Sequence, residues 1–202
     1  MDRRAFFRRA LRKGGEQVVR HVERRVQRKA ARWIRPPWAV PEVEFLLACT
    51  RCGACIEACP HGVVFPLPAR LGAEVVATPA LDLTTRGCHL CDDWPCVAAC
   101  EPGALRFPTP PQEEEGGNEE TAVPASPPRL ARATIDTERC LPWQGPECGA
   151  CAAVCPVPDA LQWDGPRPHI DGARCVGCAL CRAACITDPP AVRIASLQPS
   201  ES

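Results

Sequence analysis

Sixteen cysteines stand in four groups along this sequence of 202 residues, and their spacing is the feature most able to do chemistry. Each group packs four thiols into 11 to 16 residues and ends in Cys-x-x-x-Cys. Clustered thiolates are soft ligands that suit zinc or iron–sulfur clusters. The groups are Cys49, Cys52, Cys55 and Cys59; Cys88, Cys91, Cys96 and Cys100; Cys140, Cys148, Cys151 and Cys155; and Cys175, Cys178, Cys181 and Cys185.

The first and fourth groups read Cys-x2-Cys-x2-Cys-x3-Cys, a spacing that wraps three thiolates around one cubane and sends the fourth to a second cubane. Structural zinc sites instead pair two Cys-x2-Cys knuckles across a spacer of about a dozen or more residues. Disulfide scaffolds require an oxidising compartment and gain nothing from this regular repeat. We therefore expect four [4Fe–4S] clusters.

The crossed fourth ligand also predicts which thiols share a cluster. If a linker separates the second group from the third, the first two groups form one module and the last two another. A nested arrangement stays open, in which group one pairs with four, two pairs with three, and residues 104–107 and 132–136 form a central hairpin. The tandem ligand sets are Cys49, Cys52, Cys55 and Cys100; Cys88, Cys91, Cys96 and Cys59; Cys140, Cys148, Cys151 and Cys185; and Cys175, Cys178, Cys181 and Cys155.

Short strands and single helical turns must position these ligands. Residues 132–139 alternate in the manner of a strand, and residues 190–196 are a candidate partner for them. Residues 160–163 and 168–171 flank Gly165 as a hairpin. Small, Ala-rich stretches that suit one or two helical turns cover residues 52–59, 96–100, 148–155 and 178–185.

Composition predicts the domain boundaries. Residues 108–128 hold six Pro and five Glu without Lys or Arg, which is typical of a disordered linker. The modules on either side, residues 36–107 and 129–197, contain too few aromatic residues for a large core, so their clusters must hold them together. We expect an α+β fold of two tandem, two-cluster ferredoxin-like modules.

Residues 1–35 form a basic arm, with 13 basic against 3 acidic residues, whereas residues 36–202 carry a net charge of −10. This pattern favours an amphipathic helix on an anionic membrane surface. A helix that docks on a partner protein, or an arm folded onto the acidic body, stays open. The acidic body argues against nucleic acid as a partner. The apolar stripe of the arm comprises Val18, Val22, Val26, Ala30 and Trp33.

Four motifs carry a family resemblance: CTRCGACIEACP, CHLCDDWPCVAACEPGAL, CLPWQGPECGACAAVCPVPDAL and CVGCALCRAACITDPPAV. From about residue 36 to 197 the chain resembles the ferredoxin-type proteins encoded with periplasmic nitrate reductase and methylamine utilisation. The expanded loops Cys91–Cys96 and Cys140–Cys148 are its most specific signals. The opening RPPWA…FLLACTRCGAC is similar to the smaller accessory protein of nitrate reductase. The resemblance implies four [4Fe–4S] clusters and membrane-linked quinol or respiratory electron transfer.

The expected function is that of a polyferredoxin-type carrier, which passes single electrons between redox partner proteins in a respiratory or quinone-linked chain. No nucleophile–base pair, phosphate loop or nucleotide fingerprint indicates substrate chemistry of its own. One alternative is a cytoplasmic accessory or maturation factor for a metalloenzyme such as a nitrate reductase. Another is the electron-transfer subunit of a larger oxidoreductase.

The expected location is the cytoplasm, with the arm resting reversibly on the inner face of the membrane near quinol-linked enzymes. Residues 2–8 are similar to a twin-arginine export motif, but no apolar stretch follows them. Periplasmic export through this degenerate signal is the alternative.

Overall fold

The computed structural model describes residues 33–108, 124 and 126–197. Most of the predicted arm and most of the predicted linker therefore lie outside the described residues. The described chain is a small mixture of short helices and two-stranded sheets, as expected from the sequence. Within these ranges, no helix is both long enough and apolar enough to cross a bilayer.

The first half of the chain surrounds a short antiparallel pair in which Val64 lies opposite Leu81. Pro66 and Pro79 stand at the paired ends of these strands. Because proline cannot donate to a ladder, this pair could not be predicted from strand patterns. The elements are α1 (Glu42–Ala48), α2 (Ala54–Glu57), β1 (Val64–Pro66), a 3₁₀ turn (Ala69–Leu71), β2 (Pro79–Leu81) and α3 (Pro95–Ala98).

The second half contains two antiparallel pairs, and both were predicted. The strand that precedes Cys140 pairs with the strand at residues 192–196, so that Ile135 lies opposite Val192. A hairpin turns at Gly165, which has a φ of +56°. The elements are β3 (Ala131–Ile135), α4 (Leu141–Gln144), a 3₁₀ turn (Ala152–Val154), β4 (Leu161–Asp164), β5 (Arg167–Ile170), α5 (Leu180–Ala183) and β6 (Val192–Ser196).

The central hairpin of the nested arrangement is not formed. β3 pairs with β6, while Leu105 makes an antiparallel bridge to Ala39 at the start of the chain's first half. The four predicted helical turns are confirmed as α2, α3, α5 and the 3₁₀ turn at residues 152–154.

The two halves share one buried cluster of apolar side chains. Phe45 and Leu105 from the first half pack in it with Leu130, Ala131 and Ala179 from the second. Composition predicted two modules, each with a small core of its own. In the structure, apolar residues of both halves instead pack in one common core. A pooled core removes more apolar surface from water than two separate cores of the same residues.

Arg35 joins the start of the described chain to the folded body through four hydrogen bonds. Its guanidinium donates to the Glu42 carboxylate through Nε at 2.9 Å and Nη2 at 2.6 Å. Nη1 donates to Thr78 Oγ1 at 2.9 Å and to the Pro79 carbonyl at 2.7 Å, which ties this segment to β2. Both charged side chains are about nine-tenths buried, so this is a desolvated, bidentate pair.

Trp33 also belongs to the folded unit. The sequence placed it on the apolar stripe of the arm, whereas the structure packs it against Leu67 and Val75 with only 8% of its surface exposed. Its indole N–H donates to Glu42 Oε1 at 3.3 Å. The folded region therefore begins by residue 33.

The Arg35→Met variant is expected to lose about 3–5 kcal/mol of stability, because it leaves the Glu42 carboxylate buried without a partner. Thermal unfolding followed by circular dichroism measures this loss. The matched control is Arg106→Met, whose salt bridge to Glu44 is about half exposed and is worth at most about 1 kcal/mol. Equal losses in the two variants would contradict the anchoring role of Arg35.

Candidate metal centres

The first cavity that thiols line lies between α1, α2 and α3. Cys49 directly follows α1, Cys55 lies within α2, and Cys100 comes shortly after α3, so three short helices position its thiols. Cys52 is the one cysteine classed as exposed. The thiols around this cavity are those of Cys49, Cys52, Cys55 and Cys100.

The second cavity collects a thiol from the first cysteine group and three from the second. Trp94 forms an apolar wall, and the rings of His61 and His89 stack at its edge with centroids 3.5 Å apart. Trp94 also packs edge-on against Trp38, which holds this wall in place. The thiols are those of Cys59, Cys88, Cys91 and Cys96.

The third cavity lies in the second half, between α4, the β4–β5 hairpin and β6. Trp163 and Pro142 are among the apolar residues that line it. Trp94 and Trp163 therefore lie where they would shield a bound group from water. The thiols are those of Cys140, Cys148, Cys151 and Cys185.

The remaining four thiols, from Cys155, Cys175, Cys178 and Cys181, act on one another electrostatically. Burial raises the pKa of Cys178 to about 11 and that of Cys181 to about 12, and the neighbouring thiolate of Cys155 contributes to both. Burial is also the first cause of the raised pKa of Cys175, to which Cys155 again contributes.

Each set therefore joins the first three thiols of one group to the last thiol of the neighbouring group. The sixteen candidate residues fall into the arrangement of the tandem hypothesis, although binding of a cluster by each set stays a prediction. In the described ranges, no three His, Cys, Asp or Glu side chains form a group that could hold one metal ion. The thiols instead line cavities, an arrangement that suits a cluster of several metal atoms better than a single ion.

Crowding of buried thiols sets the electrostatics of these sites. Burial, followed by the charges of Cys100, Cys49 and Cys52, raises the pKa of Cys55 to about 11. Burial, followed by Cys88, Cys59 and Cys55, raises the pKa of Cys96 to about 12. Four such thiolates could share one cavity only with a cationic group between them, and the irons of a bound cluster would supply that charge.

Backbone N–H groups are aimed at the fourth thiol of three groups. Leu105 donates to Cys100 Sγ at 3.3 Å, and Ala191 donates to Cys185 Sγ at 3.3 Å. Burial acts to raise the pKa of Cys59, but N–H groups of Val64 and the residues before it outweigh burial and lower that pKa. Donors of this kind stabilise the negative charge that a cluster gains on reduction. The donor set thus fits an iron–sulfur cluster.

Sequence reasoning did not identify these donors as part of the site. Several of them come from the chain that follows the fourth cysteine, outside the span of the group itself. That segment leads into β1 after Cys59 and into β6 after Cys185. The sequence signal that could have identified these donors is an apolar strand that begins within about seven residues after the last cysteine of a group.

Comparison with known proteins identifies the family. Residues 46–65 match the model of a 4Fe-4S binding domain, and residues 86–160 match that of a 4Fe-4S dicluster domain. The methylamine utilization ferredoxin-type protein MauM of Paracoccus denitrificans is 35% identical over 81% of this chain and 71% of its own length. The chain belongs to the ferredoxin-type iron–sulfur proteins.

Other relatives of this ferredoxin-type protein cover nearly the whole chain. MauM of Methylophilus methylotrophus is 32% identical over 96% of the chain and 86% of its own length. The ferredoxin-type protein NapG of Escherichia coli K12 is 29% identical over the same shares. No solved structure matches the chain.

The dicluster match and the thiol positions differ in one respect. Residues 86–160 contain the second and third cysteine groups, which the nested arrangement would pair. In the structure Cys59 stands with the second group and Cys185 with the third. A sequence match depends on the order of the cysteines along the chain and not on the distances between their thiols in the folded protein. The thiol positions are therefore the better guide to which cysteines share a cluster.

The set with Cys52 is expected to lose its iron first when the loaded protein meets a chelator or oxygen. Cys52 is exposed and its pKa is lowered, first by the backbone N–H of Ala54, so a reagent reaches a nucleophilic ligand there. Timed alkylation of released thiols, read by mass spectrometry, measures the order. Early labelling should appear at Cys49, Cys52, Cys55 and Cys100 as a set.

The internal control is the set of Cys155, Cys175, Cys178 and Cys181, which includes two of the more deeply buried thiols and should label late. Early labelling of that set, or labelling of Cys52 with Cys59 rather than with Cys100, would contradict the prediction.

Proposed function

We propose that this chain is an electron carrier with four [4Fe–4S] clusters, which passes single electrons between redox partner proteins. The observation that carries the proposal is the arrangement of all sixteen thiols in four sets, with apolar cavity walls described for three of them. Membership of the ferredoxin-type family supports the electron-transfer role.

A [4Fe–4S] cluster supplies the reversible uptake and release of one electron. The chain's own residues do the rest. Cysteine thiolates hold the group, Trp94 and Trp163 keep water from it, and the N–H groups of Leu105 and Ala191 stabilise added negative charge. These interactions set the reduction potential of a bound cluster, and none of them acts on a substrate.

The ligand sets that we propose are tandem. In the first half, Cys100 completes the set of the first group and Cys59 completes that of the second. In the second half, Cys185 completes the set of the third group and Cys155 completes that of the fourth. The positions of the thiols and the β3–β6 pair, which encloses residues 136–191, support this pairing over the nested one.

Iron content and electron capacity should follow the proposed sets. The wild-type chain, reconstituted without oxygen, is expected to bind about 16 iron and 16 sulfide and to accept about 4 electrons, on the four-thiolate rule. Cys52→Ala with Cys100→Ala removes two ligands from one set, leaving about 12 iron and 3 electrons. Cys52→Ala with Cys59→Ala damages two sets, leaving about 8 iron and 2 electrons.

Iron analysis and anaerobic reductive titration make these measurements. The two double variants are matched, because each removes two thiols from the first half of the chain. Equal iron contents in the two variants would contradict the crossed ligands. A wild-type protein that binds zinc in place of iron, or that holds its iron but accepts no electrons, would contradict the carrier role.

We further propose that the partners are redox proteins of a respiratory or quinone-linked chain. Relatives are named for methylamine utilization, and these names support a place among redox enzymes. The basic arm supports a cytoplasmic location on the inner face of the membrane, since each Arg or Lys near an anionic surface is worth about 1 kcal/mol.

Deletion of residues 1–32 is expected to release the protein from vesicles of anionic lipid while its iron content stays unchanged. Deletion of residues 1–35 should also destabilise the protein, because it removes Trp33 and the buried Arg35–Glu42 pair. Vesicle sedimentation at low and high salt, with iron analysis of both deletions, checks the prediction. Binding by the 1–32 deletion as strong as that of the full chain would contradict the membrane role.

A further inference from the structure

One contact between the two halves of the chain joins two candidate cluster ligands. The backbone N–H of Cys88 donates to the carbonyl of Cys178 at 2.7 Å, so a ligand of the second set is hydrogen-bonded to a ligand of the fourth. Among the residues that the structure describes, no other hydrogen bond joins two candidate ligands across the halves.

Residues next to the Cys88–Cys178 hydrogen bond keep the two backbone segments close together. A methyl group on Gly87 would lie 2.7 Å from the backbone nitrogen of Leu180 and 2.8 Å from its Cα, distances that only glycine permits. Arg182 donates from Nε to the carbonyl of Thr84 at 2.9 Å, again from the second half to the first. The contact is therefore built from backbone, a glycine and a charged donor.

Within each half, the sets also have identified neighbours. The helix α2, which holds Cys55 of the first set, packs against α3, which holds Cys96 of the second, and the 3₁₀ turn that follows Cys151 of the third set packs against α5, which holds Cys181 of the fourth. The spatial order of the sets is therefore first, second, fourth and third, which differs from their order in the sequence.

We propose that electrons cross between the halves at the Cys88–Cys178 hydrogen bond, so that the second and fourth sets form the middle of the path and the first and third its ends. The proposal rests on the proposed function and adds a route to it. One electron leaves the reduced group held by Cys88 and is accepted by the oxidised group held by Cys178, with no bond broken and no proton transferred. A one-electron donor protein and a one-electron acceptor protein complete the balance at the two ends.

The test isolates the two middle sets in the full-length chain. A parent variant with Cys52→Ala, Cys100→Ala, Cys148→Ala and Cys151→Ala removes two ligands from each end set and should retain about 8 iron. Reduced anaerobically with dithionite, it should show a magnetic interaction between its two clusters in pulsed electron paramagnetic resonance. Gly87→Ala in this parent should weaken that interaction several-fold at equal iron content, because the added methyl group pushes Leu180 away.

Gly172→Ala is the matched control, since a methyl group there meets nothing within 4 Å. It should leave the interaction unchanged. Arg182→Met provides a second disruption, because it removes the hydrogen bond to Thr84, together with one to the Val192 carbonyl, without altering the residues next to Cys88. It should weaken the interaction in the same direction.

The outcomes separate the route from the function on which it rests. A parent with far fewer than about 8 iron, on the same four-thiolate rule, overturns the ligand sets and the route with them. A parent with this iron content but no magnetic interaction, or an interaction that both Gly87→Ala and Arg182→Met leave unchanged, overturns the route alone. Weakening in either variant, with the control unchanged, supports it.

Discussion

Burial of crowded cysteine thiols is the constraint on which the rest of this molecule depends. The pKa values of Cys55, Cys96 and Cys181 are raised to about 11 or 12, so at neutral pH these thiols stay protonated unless a cation replaces the proton. Loading with iron therefore releases protons, and the free energy of metal binding becomes free energy of folding. A chain with few aromatic side chains can fold on this basis because the clusters take the place of a large core.

The short elements follow from the same constraint. A helix of four residues has no stability of its own, and neither does a pair of strands of three residues. α2 and α3 pack against each other, and each holds a cysteine against one of the cavities, Cys55 in the first and Cys96 in the second. The shared apolar cluster and the Arg35–Glu42 pair add contacts that do not depend on metal.

Sequence reasoning went furthest at the cysteines and their flanking strands. The spacing of the groups led to the tandem ligand sets, which stay a prediction, and the alternation near Cys140 correctly predicted the β3–β6 pair. The β1–β2 pair was missed because its prolines hide the strand pattern, and the shared core was missed because small residues such as Ala131 and Ala179 carry no periodic signal. The contact of Gly87 with Leu180 depends on tertiary distance alone, which no local pattern expresses.

The crossing of the fourth cysteine has a consequence for biosynthesis. The cavity that begins with Cys49 is closed by Cys100, which the ribosome adds 51 residues later. At about 5–20 residues per second, three thiols of this set wait roughly 3 to 10 seconds for the fourth. During that interval the nascent chain offers an incomplete, exposed site to oxygen and to competing metals. A holding factor or rapid delivery of iron would have its greatest effect in those seconds.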